Sequence, residues 1–229
     1  MTAMDRPLSV PRYAARRWTL ASVVLGLTLV MTGCNMLAWA AAASRDDDKP
    51  VDVEAEYLDM VDKRIAVMVS ADEYTLFRFP RSTDNVGQAV GNAIHSNVEG
   101  AVVSIPREVA RYQRQNPYWI NSLPSRLIDE LGVDRLIIID LNEYRTNEEG
   151  NSNVWRGVVD GTVSVYEADG EDPDNATFQK QVRAEYPEGS TFGLVSADAD
   201  QAKIEAATLS VFARRAGGLF FDYQEVRKQ

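Results

Sequence analysis

The sequence predicts an α/β fold: a single compact domain over residues 60–229, with a mixed β-sheet flanked by helices. Three observations carry this. From Lys63 onward, short apolar runs rich in β-branched residues alternate with segments of helical periodicity. Between Arg135 and Leu141 stands an unbroken Leu-Ile-Ile-Ile run, the mark of a strand covered on both faces. Two alternating stretches, 154–168 and 177–186, flank the turn-rich Asp169-Gly170-Glu171-Asp172-Pro173-Asp174-Asn175 and read as a hairpin.

The elements follow in order. Arg64-Ile-Ala-Val-Met-Val69 predicts a buried strand, and the aromatic stretch Tyr74 to Pro80 reads as a loop. Ser82-Thr83 offers an N-cap to a helix in which Val86, Ala89, Val90, Ala93, Ile94 and Val98 share a face, and Gly100 stops it. Ala101 to Ile105 supplies a second strand, and Pro106 opens a charged helix through about Gln115. Pro117-Tyr118-Trp119 breaks the chain; Pro124 starts a further helix to Leu131, with Gly132 as its C-cap. After the strand at 135–141 and the hairpin, Ile204, Thr208, Val211, Phe212 and Leu219 mark a final amphipathic helix. It begins after Asp198-Ala-Asp200 and ends near Gly217-Gly218, leaving Leu219 to Tyr223 as an aromatic tail. The order is β-α-β-α-α-β-β-β-α.

Composition narrows function. With 24 Lys and Arg against 34 Asp and Glu, the net charge is −10, which disfavours nucleic acid. One Cys cannot close an intrachain disulfide, and one His argues against Cys/His zinc sites and His-based catalysis. At the amino end, Arg6, Arg12, Arg16 and Arg17 precede fourteen uncharged residues, Trp18 to Met31. That run is shorter than the roughly 20 residues a spanning helix needs and fits a secretory signal. Met31-Thr32-Gly33-Cys34 resembles the bacterial lipobox at its last three positions, with Met where Leu is usual. The resemblance implies cleavage before Cys34 and acylation of that residue; the competing reading is ordinary cleavage at Ala38-Trp39-Ala40. Residues 1–33 are thus expected to be a signal peptide and 34–59 the lipidated Cys and tether. Asn35, in place of the Asp that often marks inner-membrane retention, makes outer-membrane attachment facing the periplasm the expectation. Removing the first 33 residues, which carry four Arg and one Asp, takes the net charge from −10 to −13. Membrane contact is then left to the lipid anchor.

Candidate sites are few. Asp140, Glu143 and Tyr144 sit where a central strand leaves the sheet, a common place for ligands in α/β folds. Two carboxylates there could serve glycan hydrolysis, although strand ends are ordinary places for acids. Tyr74, Phe77 and Trp119 stand among loop aromatics of the kind enriched at interfaces, and also of the kind that merely lid a core. His95 falls on the polar face of its helix. Asp169 to Asp174 and Asp46 to Asp48 lack the ligand spacing of a calcium loop. No metal, cofactor or catalytic motif is expected.

The body also resembles a group of bacterial lipoproteins, mostly uncharacterised, sharing a small α/β domain with the TolB amino-terminal, CsgG, PelC and LpoB proteins. The resemblance covers about residues 60–225. It is carried by Lys63 to Val69, by Leu131-Gly132-Val133-Asp134 with the strand after it, by Gly161-Thr-Val-Ser-Val-Tyr166 and by Leu219-Phe220-Phe221-Asp222. It implies an accessory protein of the envelope; its relatives assemble export channels, help polysaccharide secretion or activate cell-wall synthases through protein contact. The expected function is therefore a nonenzymatic, lipid-anchored accessory or scaffold that binds an envelope protein or itself. The alternative is a periplasmic glycan or small-molecule binding protein, with a glycan hydrolase behind it.

Overall fold

The computed structural model describes residues 50–190, 192–195 and 200–226. Cys34, the lipobox and residues 34–49 of the expected tether lie outside the described residues, as does Asp198. No helix among the described residues is long and apolar enough to cross a membrane.

The expected α/β architecture with a mixed sheet is what the chain forms. The strands β2 (Arg64–Ala71), β3 (Val102–Val103), β4 (Arg135–Glu148), β5 (Asn151–Glu167) and β6 (Phe178–Tyr186) lie in the order β3-β2-β4-β5-β6, and β7 (Leu194–Val195) adds to β5. β2 pairs parallel with both β3 and β4, because helices make those connections. β4, β5 and β6 run antiparallel, the first pair joined by a two-residue turn and the second by residues 168–177. The helices are α1 (Glu73–Arg78), α2 (Ser82–Asn97), α3 (Pro106–Gln115), α4 (Pro124–Leu131) and α5 (Gln201–Gly217), with a 3-10 turn at Trp119–Asn121.

Strand alternation sorts the core into two layers. Ile65, Val67, Val69, Ile137, Ile139 and Leu141 meet Val86, Val90 and Ile94 of α2 and Val211 and Phe212 of α5. The intervening Ala66, Met68 and Leu136 meet Val109 of α3, Trp119, and Leu127 and Ile128 of α4. Each such side chain fully withdrawn from water contributes about 1.5–3 kcal/mol, which explains why the parallel strands are apolar on both faces. On the first face α5 lies directly on β5. A Cβ on Gly157 would fall 1.7 Å from Thr208 Oγ1, so only glycine fits. Gly132 ends α4 in the left-handed conformation its position predicted (φ 65°).

Several local features differ from the expectation. Tyr74 to Arg78 belongs to α1, not a loop, because Asp72 accepts a 2.7 Å hydrogen bond from Thr75 N and caps the turn; six residues are too few for periodicity to register. Ser82 is the first residue of α2 and buried. The N-cap is Arg81, which makes no side-chain capping bond. The second strand shrinks to two residues, since β3 is an edge strand paired only with Arg64 and Ile65. The packed body also takes in residues before 60. β1 (Pro50–Val53) pairs with β8 (Tyr223–Val226), a strand that begins at the last residue of the expected aromatic tail. Tyr57 and Met60 are buried, Tyr57 tilted against Phe178 and edge-on to Phe220. These partners lie more than 100 residues away, so no local pattern announces them.

At the amino ends of the parallel strands the charges close on one another. Arg135 is fully buried and bonds Asp59, Asp169 and the carbonyl oxygens of Asp59 and Asp134. Arg64 pairs with Asp134 at 2.7 Å and Lys63 with Asp169 at 3.1 Å. Tyr57 donates to Glu167 at 2.6 Å. Hydrogen bonds from Arg135 and Lys63 hold the Asp169 carboxyl down at about 2, and those from the Arg64 side chain and backbone do the same for Asp134. The acidic hairpin is thus a structural joint: Asp169 serves this cluster, while Asp174 accepts from Ser125 N at 2.9 Å.

Candidate functional site

The connections leaving β2 and β3 diverge. β2 leads by way of α1 into α2 on one face, and β3 leads into α3 on the other. Such a switch point leaves a crevice beyond the carboxyl ends of the strands, where α/β folds take their ligands. Here it measures about 750 Å³. Its floor is Val69, Ser70, Ala71, Asp140 and Leu141, and its walls include Thr83, Gln113 and Trp119. The volume lies within the range of small-molecule sites.

The polar groups in it are largely engaged with one another. Ser70 donates to Asp140 at 2.8 Å, Gln113 Nε2 to Val69 O at 2.9 Å, and Asp72 is occupied with the α1 cap. The rim differs, being apolar and exposed. Leu76 and Ile120 of its lining are open to solvent, and near them in the chain, outside the lining, Phe77 is 84 % exposed, Tyr118 79 % and Tyr74 70 %. Tyr74 and Phe77 are three residues apart on α1, and so share a side of that helix.

The structure brings some of the candidate residues together and separates others. Asp140 and Trp119 line the crevice, Trp119 with only its edge open at 8 % exposure. Tyr74 and Phe77 stand beside it on α1. Tyr144 points elsewhere. Strict alternation would put it on the face of Asp140, but Asn142 is an extra residue between the pairs Leu141↔Gly161 and Glu143↔Asp160. The bulge turns Tyr144 into the layer beneath α2 and α5, where its ring lies 4.9 Å from Phe79 and its hydroxyl donates to Glu205 at 3.1 Å. Burial, and then the neighbouring Glu205 carboxylate, push that hydroxyl well above its ordinary pKa.

Glu143 faces Arg145 and Arg183, at 2.6 and 2.7 Å. Burial alone would raise its pKa; the hydrogen bonds from the two arginines outweigh that and keep it below the usual carboxylate range. A general acid needs the opposite shift. Glu143 is instead one rung of a charged ladder across the open face of β4–β6, which Asp160 joins as a buried acceptor from Gln181 at 2.9 Å and Asn142 at 3.2 Å. Sequence reasoning passed over Asp160. A lone acid in an apolar alternating strand was the available sign. His95 is exposed on α2. Among the described residues no group of three or more His, Cys, Asp or Glu could hold a metal ion.

No family model matches the chain, and no curated protein matches it. Among solved structures it is similar to a PelC variant dodecamer from Paraburkholderia phytofirmans, at 11% identity over 75% of this chain and 98% of that one, with a TM-score of 0.45. It is similar also to lipoprotein GNA1162 from Neisseria meningitidis, at 14% identity over 63% and 91% with a TM-score of 0.38. The third is the hypothetical protein CT253 from Chlamydia trachomatis, at 12% identity over 68% and 92% with a TM-score of 0.42. These are proteins the chain is similar to; the architecture itself rests on the strand register and the two core layers described above.

Proposed function

We propose that the protein is a nonenzymatic lipoprotein of the cell envelope, held to the outer membrane through acylated Cys34, and that its α/β body acts as an accessory or scaffold by contact with another envelope protein. One observation carries the reading: exposed Leu76 and Ile120 line the switch-point crevice, and exposed Tyr74, Phe77 and Tyr118 stand within two residues of them in the chain. Large apolar side chains gathered at one site and bordered by polar groups mark contact surfaces, and aromatics are what such surfaces enrich. The polar face of β4–β6, with its ion pairs closed internally, offers no comparable anchor.

A photo-cross-linking residue placed at Phe77 or Tyr118 of the full-length chain in its own envelope tests this. The expected result is a discrete adduct with one protein from either position and none from Gln179 on the polar sheet face. Absence of any adduct at both rim positions would sink the proposal. Incorporation of labelled palmitate, lost in Cys34→Ser, tests the anchor independently.

A second reading, a glycan or small molecule held in the crevice, draws on its volume and on Trp119 beside Asp140 and Ser70. It predicts calorimetric binding of an envelope glycan that Asp140→Asn weakens.

A further inference from the structure

A crevice of about 390 Å³ opens between the amino-terminal half of α5 and the link from α1 to α2. Glu205 of α5 lines it, together with Arg78 at the end of α1 and Arg81 just before α2; Phe79, Ala206 and Leu209 make its apolar lining. The carboxylate is held from one side only. Tyr144, buried at 5 % exposure, donates its hydroxyl to Glu205 Oε1 at 3.1 Å, and Asn85 Nδ2 donates to the same oxygen at 3.1 Å. Oε2 has no partner among the described residues.

Elsewhere on the body, opposite charges that share a neighbourhood close on each other: Arg145 and Arg183 on Glu143, Arg156 on Glu185, Arg214 on Glu188. Here they do not. Among the described residues neither Glu205 nor Arg78 nor Arg81 makes an ion pair, although all three line one cavity. The spacing is that of a small ligand: Asn85 N donates to Arg81 O at 2.8 Å, so the two residues stand one turn apart on the same side of α2, and Asn85 is the residue that touches Glu205.

A simple anion bound at the arginines would face the open oxygen of Glu205, and a simple cation would face two guanidinium groups. A zwitterion satisfies both signs at once. An α-amino acid carries its ammonium and its carboxylate on one carbon, and the apolar lining gives its side chain a seat. We infer that this crevice binds a free α-amino acid with an apolar side chain, its ammonium on Glu205 Oε2 and its carboxylate on Arg81, with Arg78 as a second cation. The inference goes beyond the protein-contact reading and does not rest on it, since the cavity is a different one from the switch-point crevice.

The full-length chain in neutral detergent is titrated by calorimetry with L-leucine, N-acetyl-L-leucine and L-leucinamide. Saturable binding of leucine is expected. The acetylated form, which lacks the ammonium, and the amide, which lacks the carboxylate, should each bind about tenfold or more weaker, the scale of one lost charge-assisted hydrogen bond. Glu205→Gln and Arg81→Gln should each weaken leucine by a similar factor. Glutamine keeps a carbonyl oxygen for Tyr144 and Asn85, and Arg81 is exposed, so unchanged thermal unfolding of both variants verifies that the fold is intact. Lys203→Gln, at an exposed residue of α5 outside the lining, should leave binding within about twofold, the scale of one screened surface charge. The three probes on the parent chain decide the matter even where a variant is destabilised. No saturable binding of leucine, a blocked form binding as tightly as leucine, undiminished binding in either folded variant, or a loss in Lys203→Gln equal to that in Arg81→Gln overturns the inference.

Discussion

At the amino ends of β2 and β4, Arg135, Arg64 and Lys63 each close on a carboxylate, and Tyr57 brings the chain's early residues into the same cluster. At the carboxyl ends of the same strands, Arg78 and Arg81 make no ion pair among the described residues, and Phe77 and Tyr118 stand in solvent. One sheet therefore ends in two different ways. Internally satisfied charge fixes a structure but has nothing left to offer a ligand, while unsatisfied cations and exposed aromatics add little to stability and remain available. The contrast locates internally satisfied charge at one end and groups left open to solvent at the other.

The sharpest way to break that division is Arg135→Ala. It removes a fully buried side chain and strands Asp59, Asp169 and two carbonyl oxygens; since the carboxylates themselves are more than half exposed, the loss should be about 3 kcal/mol, at the lower end for a severed buried pair. Urea unfolding measures it, and a loss no larger than that of an ordinary surface substitution would remove the stability role. Gly157→Ala, away from both ends, sets the scale for pure packing damage: its methyl collides with Thr208, and about 2 kcal/mol should be lost by the same measurement.

Acid should act on the amino end selectively. Asp169 and Asp134 ionise at about 2 in the fold against 3.8 ordinarily, so their contribution is fully present above about pH 4 and lost as the pH falls through about 2. Unfolding midpoints at pH 5, 3 and 2 should fall more steeply in the parent than in Asp169→Asn; parallel curves would contradict the assignment. The smallest effects belong to the carboxyl end. Phe77→Ser and Arg107→Gln should each change unfolding free energy by less than about 0.5 kcal/mol, as for surface sites generally, and a larger loss in either would show that this end too is structural.

Much of this was legible in the sequence wherever the signal was local. Helices α2 to α5 and strands β2, β4, β5 and β6 declared themselves by period, proline and glycine, and Asp200 caps α5 through Lys203 N as its position implied. What escaped depends on distant partners. β1 is a strand only because β8 lies beside it, and Tyr57 is buried only because Phe178 and Phe220 meet it. The site was half legible: Asp140 and Trp119 reach the crevice, whereas one extra residue at Asn142 carried Tyr144 through to the other side of the sheet.

The ribbon of β1 and β8 has a mechanical meaning. Pro50 stands opposite Val226, and the pairing runs antiparallel to Val53 opposite Tyr223. Both strands leave the body at the Val53–Tyr223 end, so tension drawn outward through residue 50 would run along β1 itself and leave the cross-strand bonds unloaded; only a pull directed back across β8 would peel them one at a time from Pro50. β1 is already extended, at roughly 3.3 Å per residue, so little slack stands between residue 50 and Asp59 with its grip on Arg135. The pairing with β8 in this way fixes the direction in which the amino-terminal segment leaves the body, and a tug on it is felt at the Arg135 joint.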